Sequence, residues 1–212
     1  KRRVQFTPSR FPGLMLVQPR LWWPYSMGEP HLYRLDLDCE IEGRISDRVT
    51  LTYGLRDVRS RVNAQGARVF TINGQDVLIR GAARVPDLML RQSREREAAD
   101  VALLKNMNLN AVRFEGKLGS DDLWDRFDRE GILALAGWPC CNHWERWREW
   151  KPGDAWVAEA SLRWQMLRLR NHPSLIAWLY GSDFPPPEPV ERLYLRVMHE
   201  THPTLPTLSS AS

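Results

Sequence analysis

Apolar and polar residues alternate with a period of two between residues 31 and 54. Tyr33, Leu35, Leu37 and Cys39 interleave with Arg34, Asp36, Asp38 and Glu40. After Glu42-Gly43-Arg44, Val49, Leu51 and Tyr53 repeat the pattern before Gly54. That period predicts a β-hairpin with one buried and one wet face, with Cys39 a small core residue. Helical signals are absent through about residue 75. The turn Asn73-Gly74 opens a different regime. Val77-Leu78-Ile79 is expected as a short strand, Glu95–Asn106 as a helix with Ala98, Val101, Leu104 and Met107 inward, and Ala111–Phe114 as a second strand. A helix over Asp121–Arg129, capped by Asp121 and ended by Gly131, precedes a third strand over Ile132–Ala136. A helix over Ala155–Arg170, with Val157, Ala160, Trp164 and Leu167 in register, stops at Asn171-His172-Pro173. Leu175–Tyr180 is a fourth strand, Pro189–Glu200 a helix with Val190, Leu193 and Val197 inward, and Pro206-Thr207-Leu208 opens a fifth strand.

Short apolar strands alternating with helices predict an α/β fold with a parallel sheet. The stretch before it reads as the tail of a β-sandwich. Gly81-Ala82-Ala83 is not a glycine-rich phosphate loop, which argues against a dinucleotide fold. At 212 residues the chain is shorter than the roughly 250 of a closed (β/α)8 barrel.

Composition narrows the function. A 43% hydrophobic, 26% charged chain can bury a core, and no stretch reaches the roughly 18 apolar residues of a membrane span. The net charge of +4 comes almost wholly from arginines. They are scattered beside acids, as in Arg94-Glu95-Arg96-Glu97, so a mixed-charge surface is expected rather than a nucleic-acid partner. Three cysteines make no framework of bridges and leave the compartment open. No long apolar run follows Lys1-Arg2-Arg3, so no signal peptide is read there. Ten tryptophans exceed what packing needs, and those around Trp138, Trp144, Trp147 and Trp150 suit a sugar-binding platform.

Polar residues crowd the strand ends, where barrel enzymes put their chemistry. Asp183 follows the fourth strand; set against Trp178 or Phe184, it would be raised in pKa and suited to general-acid work, the alternative being a loop cap. Arg113 and Glu115 follow the second strand, as a substrate-orienting pair or a rim ion pair. Asp87 is a substrate-binding or a turn residue. Cys140-Cys141-Asn142-His143-Trp144-Glu145 has zinc-like residue types without zinc spacing, and no G-x-S-x-G elbow appears, so neither a metal, a cofactor nor a serine triad is expected.

Ordered motifs resemble glycoside hydrolase family 2: Trp23-Pro24, Gly28-x-Pro30-x-Leu32-Tyr33, Tyr53-Gly54-Leu55-Arg56, Asn73-Gly74-Gln75-Asp76-Val77, Asn110-x-Val112-Arg113, Asp128-x-Glu130-Gly131 and Leu169-Arg170-Asn171-His172-Pro173-Ser174. Gly181-Ser182-Asp183-Phe184, Pro86-Asp87-Leu88, Arg113-x-Glu115-Gly116 and Gly137-Trp138-x-Cys140-Cys141-x-x-Trp144-Glu145 are similar to its exo-β-D-glucosaminidase branch. The resemblance implies a partial (β/α)8 TIM barrel of about four β/α units over 76–212. It would be preceded by the end of an immunoglobulin-like β-sandwich over 1–60 and a connecting strand over 61–75. It implies a retaining exo-β-glycosidase acting on a terminal β-linked sugar, in which Asp183 is the acid/base. Ser182, Asp87, Arg113, Glu115, Trp138 and Trp144 would line the substrate. The nucleophilic glutamate would lie outside this chain, in the remainder of a secreted parent polypeptide. Hydrolysis by the 212 residues alone is not expected, and an open half-barrel would expose strand edges. Pro139 stands where the glucosaminidases carry a glutamate associated with amine recognition. A β-mannosidase-like specificity and a non-catalytic sugar-binding half-barrel are therefore the alternatives.

Overall fold

A computed structural model describes residues 10–85, 87, 89–137 and 139–211. Its centre is a five-stranded parallel sheet: β6 (Gly81–Arg84), β7 (Ala111–Phe114), β8 (Leu133–Ala136), β9 (Leu175–Leu179) and β10 (Thr207–Leu208), hydrogen-bonded in chain order. The helices α1 (Arg94–Asn106), α2 (Asp121–Glu130), α3 (Asp154–Leu169) and α4 (Glu188–Thr201) connect successive strands. All five strands run parallel and the order never reverses. There is thus no switch point of the kind dinucleotide folds use. One buried cluster joins all four helices to one face of the sheet. It contains Val101 and Leu104 of α1, Trp124 and Phe127 of α2, Leu162 and Met166 of α3, and Tyr194 and Val197 of α4, with Val112, Phe114 and Trp178.

The other face is covered near the strand starts. β3 (Val58–Val62), β4 (Arg68–Ile72) and β5 (Gln75–Val77) form an antiparallel sheet. Its Val58, Phe70, Ile72 and Val77, with Trp22, pack on Ala111, Leu133, Ile176 and Ala177. Residues 61–75, expected as a connection, thus form most of this sheet. Val77 pairs with Phe70, so Val77-Leu78-Ile79 is not the first parallel strand; Gly81–Arg84 is, paired with β7.

The expected hairpin is β1 (Tyr33–Ile41) with β2 (Arg44–Tyr53), in a register that stacks Tyr33 on Tyr53. One face is laced by ion pairs, with Arg48 forked onto Asp38 and Arg34 on Asp36. The apolar face is not buried. Leu37, Val49 and Leu51 are exposed, and so is Cys39, against the core role expected for it.

Three helix details differ from expectation. Met107, expected inward with Val101 and Leu104, is the C-cap of α1 and 53% exposed. Ser120, not Asp121, caps α2, its Oγ accepting from the Leu123 amide at 3.0 Å. In α3 the buried stripe is Ala158, Leu162, Met166 and Leu169, while Trp164 is 71% exposed. Apolar residues surround that helix almost completely, so two stripes compete and packing decides between them.

The hairpin and the sheet are tied through the run Asn171-His172-Pro173-Ser174. Asp128 receives His172 Nδ1 at 2.6 Å, and the Ser174 hydroxyl and amide at 2.6 and 3.1 Å. Trp22 Nε1 donates to the Asp128 carbonyl, and Asn171 Nδ2 to the Thr52 carbonyl. Partly buried Arg56 donates to the carbonyls of Pro173 and Leu175, and desolvation pulls its guanidinium down to about 10. Gly131 ends α2 at φ 68°, and its carbonyl accepts the Tyr25 amide at 3.0 Å.

Candidate functional site

The carboxyl ends of β7, β8 and β9 bring the candidate residues together. Alternation along β7 sends Val112 and Phe114 to the helices and leaves Arg113 on the opposite, half-open face. Its Nη2 donates to Ser182 Oγ at 2.6 Å, and its Nη1 lies 3.6 Å from Glu115. Ser182, buried beyond the end of β9, also approaches Asp183 at 3.4 Å. Arg113, Glu115, Ser182 and Asp183 therefore form one polar array across two strands of the sheet.

Asp183 itself is exposed. Trp178 does not desolvate it, because that ring sits in the cluster on the helix side, and Phe184 is 67% exposed. The loop that carries Asp183 is held instead by Glu145. Its Oε1 accepts the Ser182 amide at 2.7 Å and the Asp183 amide at 2.8 Å, and its Oε2 accepts the Cys141 amide at 3.2 Å. Glu145 lies in a single 3-10 turn, His143–Glu145, capped by Asn142. Its partners stand 37 and 38 residues further along the chain, so no local pattern announced the role.

Cys140 is buried beside Glu115, its Sγ donating to Oε1 at 3.3 Å. Burial is the main cause that pushes its thiol up to about 12. His143 faces Asp154 rather than the cysteines. The three-residue group of potential metal ligands found among the described residues is instead Asp125, Asp128 and His172. There Asp128 is already engaged by His172 and Ser174, as a structural network requires.

Asp87 stands apart from the array. It closes its own turn by accepting the Met89 amide at 3.0 Å, and its carboxylate takes Arg91 at 3.0 and 3.1 Å and Arg96 at 3.3 Å. The Arg91 hydrogen bond is the main cause that holds it below the usual carboxylate range. A cavity of about 430 Å³ beside it is lined by Arg84, Arg96 and Lys117. Trp144 is partly buried against the helix-side core, edge-on to Trp150 at 5.9 Å. Trp138 lies outside the described residues. A larger cleft of about 670 Å³ adjoins the Asp183 loop, lined by Glu145, Trp147, Phe184 and Pro185.

Comparison with known proteins bears on this arrangement. A model for glycosyl hydrolases family 2 matches residues 4–56. An exo-β-D-glucosaminidase of Streptomyces avermitilis is 39% identical over 218 aligned residues, which cover 100% of this chain and 24% of that protein. The chain belongs to glycosyl hydrolase family 2. The exo-β-D-glucosaminidase of Amycolatopsis orientalis is 38% identical, over 95% of this chain and 20% of its own length. The crystal structure of the exo-chitosanase of that organism superimposes with a TM-score of 0.87 at 37% identity, covering 93% of this chain and 24% of the other. A variant of that enzyme has been solved with PNP-β-D-glucosamine. The chain thus spans about a quarter of the length of the curated relatives it matches. Among the described residues no helix is long and apolar enough to cross a membrane.

Proposed function

We propose that these residues supply the acid/base half of a retaining exo-β-glycosidase that removes a terminal β-linked, glucosamine-like sugar. The observation that carries this reading is the array at the carboxyl ends of β7 and β9: Arg113 on Ser182 at 2.6 Å, with Asp183 next along the loop and Glu115 beside the arginine. In this reading Asp183 protonates the glycosidic oxygen as the leaving group departs, then deprotonates the water that releases the sugar. Arg113 and Ser182 orient the hydroxyl or amine next to the reacting carbon. Glu115 is the carboxylate placed to offset a cationic amine, since Asp87 is already engaged by two guanidiniums. Double displacement needs a second carboxyl group about 5–5.5 Å from the first. We assign it to a glutamate on a later strand, outside these 212 residues, of a secreted parent.

The strand order supports reading 76–212 as the first five strands of an eight-stranded barrel, since a barrel arc keeps chain order and puts every helix on one face. The hairpin with its uncovered apolar face supports reading 1–60 as the end of an immunoglobulin-like sandwich.

The test uses a parent polypeptide that includes the later strands. Asp183→Asn should lower kcat/KM on a poor-leaving-group glucosaminide by about 10²–10⁴ and spare an activated aryl glycoside much more. Full activity of the variant on the poor-leaving-group substrate refutes the acid/base role. A parent that prefers the β-mannoside over the β-glucosaminide refutes the sugar assignment while leaving Asp183 in place; Pro139 keeps that comparison necessary.

A further inference from the structure

The adjacent pair Cys140-Cys141 has no part in the chemistry above. The two Sγ atoms lie 3.2 Å apart, inside van der Waals contact for sulfur. Cys141 takes φ 54°, in the left-handed region uncommon for a residue with a side chain. Cys140 is buried, whereas Cys141 is exposed. A carboxylate is already in place on the buried thiol, with Glu115 Oε1 accepting from Cys140 Sγ at 3.3 Å.

We propose that Cys140 and Cys141 form an oxidation site: a vicinal dithiol that peroxides close into a disulfide between neighbouring residues. The exposed Cys141 thiolate attacks a peroxide oxygen, breaking the O–O bond to give a sulfenic acid and hydroxide. Cys140 sulfur then attacks the Cys141 sulfur. The S–S bond forms, the S–O bond breaks, and the departing hydroxide leaves as water with the proton that Glu115 takes from Cys140. In balance, two thiols and one hydrogen peroxide give one disulfide and two waters. Burial lifts the Cys140 thiol to about 12, so it is a poor first nucleophile and needs both the activated neighbour and the carboxylate. Neighbouring Cα atoms stand about 3.8 Å apart, short of the usual disulfide span of about 4.4–6.8 Å. The closed ring is therefore strained and belongs with the labile disulfides that a dithiol reductant reopens. Because the Cys141 amide also donates to Glu145, closure acts on the residue that holds the Ser182-Asp183 loop.

The test is made on the full 212-residue chain treated with hydrogen peroxide. Digestion with trypsin puts the pair in the peptide Glu130–Arg146 and Cys39 in Leu35–Arg44. The expected product is a Glu130–Arg146 peptide about two daltons lighter, in a monomeric chain that loses two of its three thiols and regains them with dithiothreitol. In Cys141→Ser the Cys140 thiol should survive the same treatment. Three results overturn the proposal: both thiols intact, a peptide carrying added oxygens, or a link between chains. Equal oxidation of Cys140 in Cys141→Ser removes Cys141 as the point of entry and overturns it as well.

Discussion

Removing the Glu145 carboxylate should loosen the Asp183 loop and leave the rest of the sheet alone. Glu145 Oε1 holds two successive amides, of Ser182 at 2.7 Å and Asp183 at 2.8 Å, and Ser182 is 1% exposed. A hydrogen bond to a charged group contributes about 1.5–3 kcal/mol, and a buried donor left without its acceptor costs a similar amount. In Glu145→Ala each amide should therefore open about 10 to 150 times more readily. Glu145→Gln keeps an acceptor but loses the charge, which about halves the bond, so about 1 kcal/mol, or five-fold, is expected at each amide. Amide hydrogen exchange resolves this directly without any activity assay. The comparison amide is Ser174, which Asp128 holds at 3.1 Å in the run that joins hairpin and sheet. Unchanged exchange at 182 and 183 in Glu145→Ala refutes the argument. Equal acceleration at Ser174 also refutes it, because the effect would then be global unfolding and not release of one loop.

Gly131→Ala and Gly66→Ala should separate backbone conformation from docking. Both positions have φ near 70–80°, but a Cβ at Gly66 meets nothing within 4 Å, whereas one at Gly131 comes within 2.5 Å of the Tyr25 amide nitrogen. The left-handed conformation costs about 1–2 kcal/mol at each, and Gly131→Ala also loses the Tyr25 hydrogen bond and its close fit. Thermal midpoints should fall by about 2–8 °C for Gly66→Ala and about twice that for Gly131→Ala; equal shifts would dismiss Tyr25 docking as a contributor. Stability should also decline on acidification through His202. Burial, with Arg56 and Arg170 nearby, holds its imidazole at about 4, below the 6.5 of the unfolded chain. The unfolded state therefore binds the proton first: this contribution is full above pH 6.5 and is lost as pH falls toward 4. It amounts to about 1–2 kcal/mol after allowance for partial exposure. A denaturant midpoint whose pH dependence between 6.5 and 4 is the same in His202→Leu would refute the assignment.

What could be read from the chain followed from whether a pattern was local. β7, β8 and β9 are short apolar runs between turn residues, and they were placed to within a residue or so. β6 was missed because Gly81-Ala82-Ala83-Arg84 lacks branched residues, while Val77-Leu78-Ile79 has them, although of these only Val77 lies in a strand, paired with β4. The apolar face of the hairpin was read correctly as apolar and wrongly as buried: alternation shows which residues seek cover, and the covering surface belongs to tertiary structure. The site divides in the same way. Strand ends marked Arg113, Glu115 and Asp183, and the family resemblance added Ser182, but Asp87 was found on two arginines and the loop's support by Glu145 was invisible across 37 residues.

The most recognisable run, Asn171-His172-Pro173-Ser174, carries a further lesson about what a motif marks. Its polar groups face inward: His172 and Ser174 are held by Asp128, Asn171 bonds to Thr52, and the carbonyl of Pro173 accepts from Arg56. A group whose hydrogen bonds end on its own chain positions other elements and has little capacity left for a substrate. Asp183 and Glu115 sit on the open side of the sheet, where a substrate can reach them. Family resemblance rests on both kinds of residue alike. Exposure separates them: the Asp128 and Asp87 side chains are 4% and 10% exposed, whereas that of Glu115 is 28% exposed and Asp183 is exposed, which fits the roles proposed for the latter two.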